Sequence, residues 1–378
     1  MYEIVIIGAG ASGLFLAAHL KNKKNTLILE HNPQIGAKIL ISGGGRCNFT
    51  NKNISAQDYL GNKEFFNTIY KNFTNKAVVE YFTKRGLEYT LKNKNEYFCK
   101  NSAKDLLSIL EKEIKGVNLS LNTEVLKVSK ENNIFLIETN KGTIKTKKLV
   151  IASGGLSFPK LGASSIGLEI AKSFGHTIIA PAPALVGFTL QKEQSFFKEL
   201  SGISVKVEIK VEDKSFFGNL LFAHKGISGP AVLNASLFWK KGKITINFLP
   251  KFNFDTIKQS NKELVSLLPL PKRVIKAFMQ ALNLSSKAVK NYSKEEFERL
   301  KSLQNYSFAP AGTFGFSKAE VTKGGVATKE ISSCSLESKL VKNLFFLGEV
   351  IDITGRLGGY NFQWAFSSAF CCAKHITK

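Results

Sequence analysis

Three glycines near the start of the chain, Gly8, Gly10 and Gly13, have the spacing of a dinucleotide-binding turn. They follow an apolar run at 2–8 and precede a stretch with helical spacing at 11–20. In such a turn the first glycine permits a tight bend, the second admits a pyrophosphate, and the third lets the helix pack on the strand. The N–H groups and positive dipole end of the helix N-terminus then attract phosphates. The spacing therefore predicts a nucleotide site.

An acidic residue, Glu30, ends the second apolar run at 26–30. An acid at the end of the second strand accepts the ribose hydroxyls and disfavours a 2′-phosphate. Strand, glycines, helix, strand and acid occur in register, which predicts FAD or NAD rather than NADP as the bound nucleotide. We also place Ser12, in the first turn of the helix, among the cofactor-binding residues.

A glycine-rich segment at 36–51, GAKILISGGGRCNFTN, favours FAD over NAD. Three consecutive glycines, with Gly44 at their centre, predict a loop in which the backbone passes close to a ligand. Arg46 follows directly and Lys38 precedes it, and a guanidinium here could hold a pyrophosphate bidentately. A plain NAD dehydrogenase has no use for this loop, although a basic surface turn would have the same composition.

The third element is the C-terminal run at 345–363, FFLGEVIDITGRLGGYNFQ. A predicted strand ends at Gly348 and is followed by the acids Glu349 and Asp352 and by a second glycine turn that includes Gly359. In flavoproteins with a divided nucleotide domain, such an acid approaches the ribityl chain. The helix that follows points its N–H groups at the pyrimidine end of the isoalloxazine.

A weaker fourth element is a strand that ends in glycines near the middle of the chain. The residues Ala152, Ser153 and Gly154 lie at this turn. Turns of this kind return the chain beside the FAD diphosphate, so we place all three in the cofactor site.

The order of predicted elements indicates an α/β protein with a Rossmann-like FAD domain formed by both chain ends. We expect this domain to comprise residues 1–187 and 322–378, with a β-rich insertion at 188–254 and 306–321 and a small helical insertion at 255–305. Within the first domain, short strands at 123–128, 134–139 and 143–146 read as a meander. A separate buried strand is expected at 148–153.

Composition limits the class of protein. The chain has 378 residues, too many for one compact core, and contains no apolar run near the roughly 20 residues that span a bilayer. The N-terminus lacks the basic region of a signal peptide. The five cysteines form no CxxC pair. We therefore expect a reduced, cytoplasmic protein with no metal site and no membrane contact.

The net charge of +24 admits a nucleic-acid partner without requiring one. Only five of the 53 basic residues are arginine. The lysines are spread along the chain, as a coding bias acting on exposed positions would spread them. A diffuse positive field still attracts polyanions over about a Debye length. An RNA partner and a compositional bias both remain open.

Several runs resemble one family through almost the whole chain, the flavoproteins labelled aminoacetone-oxidase-like or BaiN-type NAD(P)/FAD-dependent oxidoreductases. These runs are SGGGRCNFTN at 42–51, GNLLFAHKGISGPAVLNAS at 218–236, AEVTKGGVATKEI at 319–331 and GEVIDITGRLGGYNFQWAFSSA at 348–369. One stretch departs from the family, because the turn at 162–167 lacks the usual acid.

The resemblance implies a FAD domain with a β-barrel-like insertion and a small helical insertion. It also implies non-covalent FAD contacted by a set of residues from both chain ends: Glu30, Lys38, Arg46, Cys47, Asn48, Val125, Gly348, Asp352, Gly359, Tyr360, Asn361 and Phe362. Members of the family have been assigned to reduction of the C=C bond of steroid-like enones and to reduction of uridine to dihydrouridine in ribosomal RNA.

These reactions share one chemistry, in which hydride leaves flavin N5 for the β-carbon and an acid protonates the α-carbon. No second glycine motif with its own strand and acid occurs, so NAD(P)H would be a transient electron donor. The catalytic residues we expect are Cys47, with a pKa lowered by Arg46, together with Tyr360 and His224. A packing role is open for each of the three.

Two functions from different classes follow. The first is reduction of a C=C bond, with uridine in ribosomal RNA as substrate. The alternative is a small-molecule flavin reductase or amine oxidase with no nucleic-acid substrate.

Overall fold

The structure is a computed structural model that describes residues 1–376. Strands and helices are numbered here along the chain. The strands are β1 (Tyr2–Ile7), β2 (Thr26–Leu29), β3 (Asn48–Asn51), β4 (Tyr59–Gly61), β5 (Tyr89–Lys92), β6 (Glu96–Cys99), β7 (Asn118–Ser120), β8 (Val125–Glu131), β9 (Ile134–Thr139), β10 (Gly142–Ile151), β11 (Ile178–Ala184), β12 (Phe188–Thr189), β13 (Ser204–Val211), β14 (Lys214–Ala223), β15 (Gly226–Ser228), β16 (Ile244–Asn247), β17 (Tyr306–Phe308), β18 (Gly312–Thr313), β19 (Val321–Val326), β20 (Leu344–Phe346) and β21 (Ile353–Gly355). The α-helices are α1 (Ala11–His19), α2 (Ala37–Gly45), α3 (Lys63–Tyr70), α4 (Asn75–Thr83), α5 (Ala103–Glu113), α6 (Ile166–Ser173), α7 (Pro230–Phe238), α8 (Lys272–Ala281), α9 (Lys294–Lys301) and α10 (Tyr360–Ile376).

The chain divides into two compact units. Unit 1 combines Met1–Pro183 with the chain from Glu320 onward, and unit 2 is Ala184–Ala319. The first unit therefore takes its residues from both ends of the sequence.

The centre of unit 1 is a parallel sheet in the order β7-β2-β1-β10, with β20 paired to β10. Strands β1 and β2 are short runs rich in Ile, Val and Leu, and every residue of β2 is buried. Near-continuous apolar runs of this kind form where a strand is covered on both faces. The helices α1 and α10 pack on each other, so the first and last helices of the unit are neighbours.

The meander ends in a longer strand than expected. The predicted strands at 143–146 and 148–153 form the single strand β10, whose first half pairs antiparallel with β9 and whose second half pairs parallel with β1. Exposed Lys145 and Lys147 alternate with less exposed residues in the first half, whereas 149–151 are all buried. The side-chain pattern changes because the partner strand changes, although the backbone continues.

The glycine-rich segment is partly helical rather than a simple loop. Helix α2 begins in its first half, and the last three residues of α2, Gly43, Gly44 and Gly45, all have positive φ, at +58°, +68° and +80°. A left-handed turn of this kind is strained for any side chain with a Cβ. The sequence therefore ends the helix with a glycine turn.

Unit 2 is built on one sheet of seven strands in the order β17-β16-β13-β14-β15-β12-β18. Helix α7 packs on β13 and β14. The segment at 255–305, predicted to be helical, contains α8 and α9 joined by short 3-10 turns. Val274, Ile275, Phe278 and Met279 form the buried face of α8.

A buried polar network joins the two chain ends in unit 1. The Gln363 side chain on α10 is fully buried. Its Oε1 accepts a hydrogen bond from Thr50 Oγ1 at 2.6 Å, and its Nε2 donates to Phe73 O and Ser367 Oγ, both at 2.9 Å. Every polar atom of this amide is therefore satisfied inside the protein.

Gln363→Ala is expected to lower the free energy of unfolding by about 2 kcal/mol, because it leaves the buried Thr50 hydroxyl and Phe73 carbonyl with fewer partners. Urea denaturation measures the change. Gln280→Ala, on the exposed face of α8, is the control and is expected to change stability by less than about 0.5 kcal/mol. Equal effects of the two substitutions would show that the network contributes nothing.

Candidate functional site

The glycine turn between β1 and α1 is shaped by two close approaches and one open position. A Cβ on Gly8, which has φ +106°, would lie 2.5 Å from Ala152 O, and a Cβ on Gly13 would lie 2.0 Å from Gly8 O. A Cβ on Gly10 would meet no protein atom within 4 Å. Gly8 and Gly13 are thus fixed by packing, whereas Gly10 faces open space.

Helix α1 begins at this open position without a side-chain cap at Gly10. The N–H groups of its first turn have no acceptor within the helix. Open space beside uncapped N–H groups at the positive end of a helix is suited to an anion such as a pyrophosphate. Ser12 lies in this first turn and is mostly buried, with its hydroxyl close to Gly348.

Glu30 is buried against the same turn. Its Oε2 accepts a hydrogen bond from the Ala9 N–H at 2.9 Å, and its Oε1 accepts from the backbone and side-chain amides of Asn32, both at 2.9 Å. These three donors, together with His31 Nδ1 at 3.2 Å from Oε1, fix the carboxylate beside the glycines. Carboxylate oxygens accept more than one hydrogen bond each, so Glu30 retains capacity for ligand hydroxyls.

An ion pair links the α2 segment to the C-terminal run. Lys38 Nζ lies 2.9 Å from Glu349 Oε2, and Glu349 Oε1 accepts the Thr322 N–H at 2.8 Å. A Cβ on Gly154 would lie 3.7 Å from the same carboxylate. Segments that are distant in sequence thus converge on Glu349.

The segment after the glycine turn lies beside the last helix. A Cβ on Gly359, which has φ +90°, would lie 2.5 Å from Thr50 O and 2.7 Å from the side-chain amide of Asn48. Asn51 Nδ2 donates to Gly358 O at 2.9 Å. The Asn361 side chain accepts from the Gly355 N–H and donates to the Gly355 carbonyl, which holds the turn before α10. The two chain ends are therefore neighbours in unit 1.

Four more of the residues predicted to bind the cofactor are wholly or partly buried. Burial raises the pKa of Asp352, and the hydrogen bond from the Gly324 N–H opposes this shift. The Ser153 hydroxyl is buried and has no hydrogen-bond partner among residues 1–376. Ala152 is buried against Gly8, and Val125 is buried at the start of β8.

The Arg46 guanidinium hydrogen-bonds to groups at and beside the hairpin of β5 and β6. Its Nη2 donates to Thr90 Oγ1 at 2.9 Å and to Lys100 O at 3.0 Å, and its Nε donates to Cys99 O at 3.4 Å. Carbonyl oxygens at the end of β6 therefore take its donors. The bidentate contact with a pyrophosphate, expected from the sequence, stays a prediction.

The expected lowering of the Cys47 pKa is wrong. The residue is fully buried with φ +43°. Burial raises the pKa of the Cys47 thiol well above its ordinary value, and its contact with the Cys99 thiol adds to the shift. The Arg46 guanidinium is engaged elsewhere and does not offset burial. A catalytic role for Cys47 stays a prediction that its burial disfavours.

The other two catalytic candidates lie in different units. The Tyr360 hydroxyl donates to Asn53 O at 3.2 Å, and burial raises the pKa of Tyr360 to about 12. His224 is exposed in the turn between β14 and β15 of unit 2. The catalytic roles of Tyr360 and His224 stay predictions.

Phe362, predicted to contact the cofactor, is half-buried and packs near Phe366, with ring centroids 6.0 Å apart.

Sequence reasoning missed Thr322 and Thr50. Thr322 Oγ1 accepts the N–H groups of Leu156 and Ser157 at 2.8 and 3.1 Å, and its own N–H binds Glu349. Thr50 binds Gln363. Thr322 and Glu349 are 27 positions apart, and the other contacts join residues more than 100 positions apart, so no local spacing marks them.

The chain matches the family described as HI0933-like protein Rossmann domain over residues 2–375. A Haemophilus influenzae protein named ribosomal RNA dihydrouridine synthase is 40% identical over 100% of this chain and 98% of the relative. An Escherichia coli protein of the same name is 39% identical over 99% and 98%. A Clostridium scindens protein named 3-dehydro-bile acid delta(4,6)-reductase is 28% identical over 99% and 98%.

No helix within residues 1–376 combines the length and apolarity needed to cross a bilayer. The family resemblance and the Rossmann-type α/β fold predicted from the motifs are confirmed. The chain belongs to the HI0933-like family of Rossmann-domain proteins.

Proposed function

We propose that this protein is an FAD-dependent oxidoreductase that reduces an activated C=C bond, with uridine in ribosomal RNA as its substrate. The proposed substrate rests on one observation. Two relatives that are 39–40% identical over essentially the whole chain are both named ribosomal RNA dihydrouridine synthase. The glycine turns and Glu30 support the cofactor, because they leave open the position that a dinucleotide requires.

The residues present fit FAD. Glu30 would hold the adenosine ribose hydroxyls, and the uncapped first turn of α1 beside Gly10 would hold the diphosphate. Asp352 would accept hydroxyls of the ribityl chain, and the first-turn N–H groups of α10 would bind the pyrimidine edge of the ring. When bound, FAD supplies the hydride for the C=C bond.

The protein's own groups orient the reaction and control protons. The Lys38–Glu349 pair fixes the α2 segment against the C-terminal run. Tyr360 is protonated at neutral pH, and its hydroxyl, which donates to Asn53 O at 3.2 Å, would have to exchange that bond to donate to a substrate. NAD(P)H would act as a transient donor of electrons. The protein would work in the cytoplasm, where ribosomal RNA is modified.

A single-turnover experiment tests the substrate. The purified holoenzyme is reduced anaerobically and mixed with ribosomal RNA lacking dihydrouridine. We expect flavin reoxidation together with dihydrouridine detected by mass spectrometry of the digested RNA. If the flavin stays reduced and the uridine stays unchanged, ribosomal RNA is not the substrate. RNA mixed with oxidised holoenzyme is the control and should gain no dihydrouridine.

A small-molecule substrate is the second candidate, as an enone for a flavin reductase or an amine for an oxidase. The bile acid reductase among the relatives favours the enone. Salt dependence separates the classes, because phosphate contacts weaken steeply between about 50 and about 200 mM salt whereas a buried small substrate is nearly insensitive.

A further inference from the structure

The hairpin formed by β5 and β6 lies beside the candidate cofactor site within unit 1. Strand β6 pairs with β3, so Phe98 is opposite Asn48, directly after the glycine turn. A Cβ on Gly43 would lie 2.8 Å from the Phe98 ring, and a Cβ on Gly358 would lie 3.0 Å from Glu96 Oε1. Glu96 and Phe98 therefore face the site, and Lys92 shares their side of the hairpin, whereas Tyr89, Leu91 and Tyr97 alternate to its other side.

The outer strand of the hairpin exposes large apolar side chains. In the sheet β3-β6-β5, β5 is the edge strand. Tyr89 is 39% exposed and Leu91 is 48% exposed. Tyr97 lies beside them, with its ring centroid 5.1 Å from that of Tyr89. Natural proteins usually blunt or cover such an edge, so its exposure suits a binding surface.

Cations without carboxylate partners surround this strand. Lys92 and Lys94 are exposed at the hairpin tip, and the Lys52 N–H binds Asn95 O at 2.7 Å, which places a third exposed lysine there. Among residues 1–376, none of the three has a carboxylate within ion-pair distance, whereas Lys100 pairs with Glu88 at 3.3 Å. Glu96, the cross-strand partner of Lys92, lies at the same tip, so the three lysines and this one carboxylate leave a net positive charge there.

The basic helical segment of unit 2 carries less free charge than its composition indicates. Lys287 pairs with Glu296 at 2.9 Å and Lys301 pairs with Glu298 at 3.0 Å, whereas the Arg273 guanidinium donates to the neutral backbone carbonyl of Glu199. Two of its positive charges are thus compensated within the protein.

We infer that the hairpin surface, defined as Lys52, Tyr89, Leu91, Lys92 and Lys94, binds the single-stranded RNA that flanks the base to be reduced. The inference rests on the proposed function. A base must leave its stack to reach a buried site, so its neighbours are unpaired and expose ring faces and phosphates. The Tyr89 ring stacks on a flanking base and the lysines bind phosphates. The positive tip and its place beside the site favour RNA over a protein partner.

Fluorescence anisotropy of the holoenzyme with a labelled single-stranded uridine-rich oligonucleotide tests the surface. Tyr89→Ala is expected to weaken binding by about 5- to 100-fold through lost stacking, and Tyr89→Phe is expected to retain it. Lys92→Ala/Lys94→Ala is expected to reduce the salt-dependence slope by about 1.4, the value for two phosphate contacts on a single strand. The matched control Lys240→Ala/Lys241→Ala removes two exposed lysines of unit 2 and is expected to leave the slope unchanged.

Flavin content, measured for every variant, shows that each one is folded. Wild-type dihydrouridine formation with equal RNA affinity in hairpin and control variants would overturn the hairpin surface alone. Failure of the wild type to bind or modify RNA would overturn this surface together with the proposed substrate. Concentration-dependent dimers abolished by Tyr89→Ala, with RNA binding unchanged, would assign the β5 edge to a second copy and also overturn the inference.

Discussion

Glu30→Ala is expected to lower the affinity for FAD by roughly 10- to 100-fold, the loss of one or more hydrogen bonds to a charged acceptor. The carboxylate is fixed beside the glycine turn by the Ala9 and Asn32 donors. Without it, the ribose hydroxyls have no acceptor and the Ala9 N–H has no partner. Titration of the apoprotein with FAD, followed by flavin fluorescence, measures the affinity.

Glu124→Ala is the control for Glu30→Ala, because Glu124 is exposed at the start of the meander and the same charge is removed. We expect it to bind FAD like the wild type. If both substitutions leave the affinity unchanged, Glu30 is not a ribose ligand.

Gly13→Ala is expected to lower the free energy of unfolding by about 3 kcal/mol, because its Cβ would lie 2.0 Å from a backbone oxygen that cannot move without breaking the β1–α1 packing. Gly10→Ala places its Cβ in open space and has φ −86°, which alanine adopts readily. We expect that change to cost less than about 1 kcal/mol in the apoprotein.

For the affinity for FAD, measured on folded protein, the order is reversed: we expect Gly10→Ala to lose more affinity than Gly13→Ala. The Gly10→Ala methyl group enters the space assigned to the diphosphate, so FAD binding weakens while apoprotein stability is kept. Urea denaturation with and without FAD measures both effects. Equal stability losses in the two variants, or full FAD affinity in Gly10→Ala, would contradict the assignment of this space.

The sequence predicts those parts of the site that depend on local pattern. The run at 2–8, the glycine spacing and Glu30 are set within one βαβ unit, where short connections leave few alternative arrangements. The strands at 26–30 and 134–139 also match the observed β2 and β9 closely. Local apolar runs and glycine turns carry this information because they constrain the backbone directly.

Side-chain direction and long-range contact are not contained in local pattern. Adjacency in sequence suggested that Arg46 acts on Cys47, yet the guanidinium binds carbonyls at the end of β6 and the thiol is buried. Thr322 acquires its role only because unit 1 brings it to Glu349. Likewise, the continuity of β10 depends on an exchange of partner strands.

The most direct test of the account is the identity and amount of chromophore bound by the purified protein. The protein is incubated with FAD, freed of excess ligand, and heated, and the released compound is identified by mass spectrometry. We predict one FAD per chain, with an absorbance maximum at about 450 nm before release. A protein that stays colourless after incubation, or that releases a nicotinamide dinucleotide instead, would contradict a flavin site built from the two chain ends.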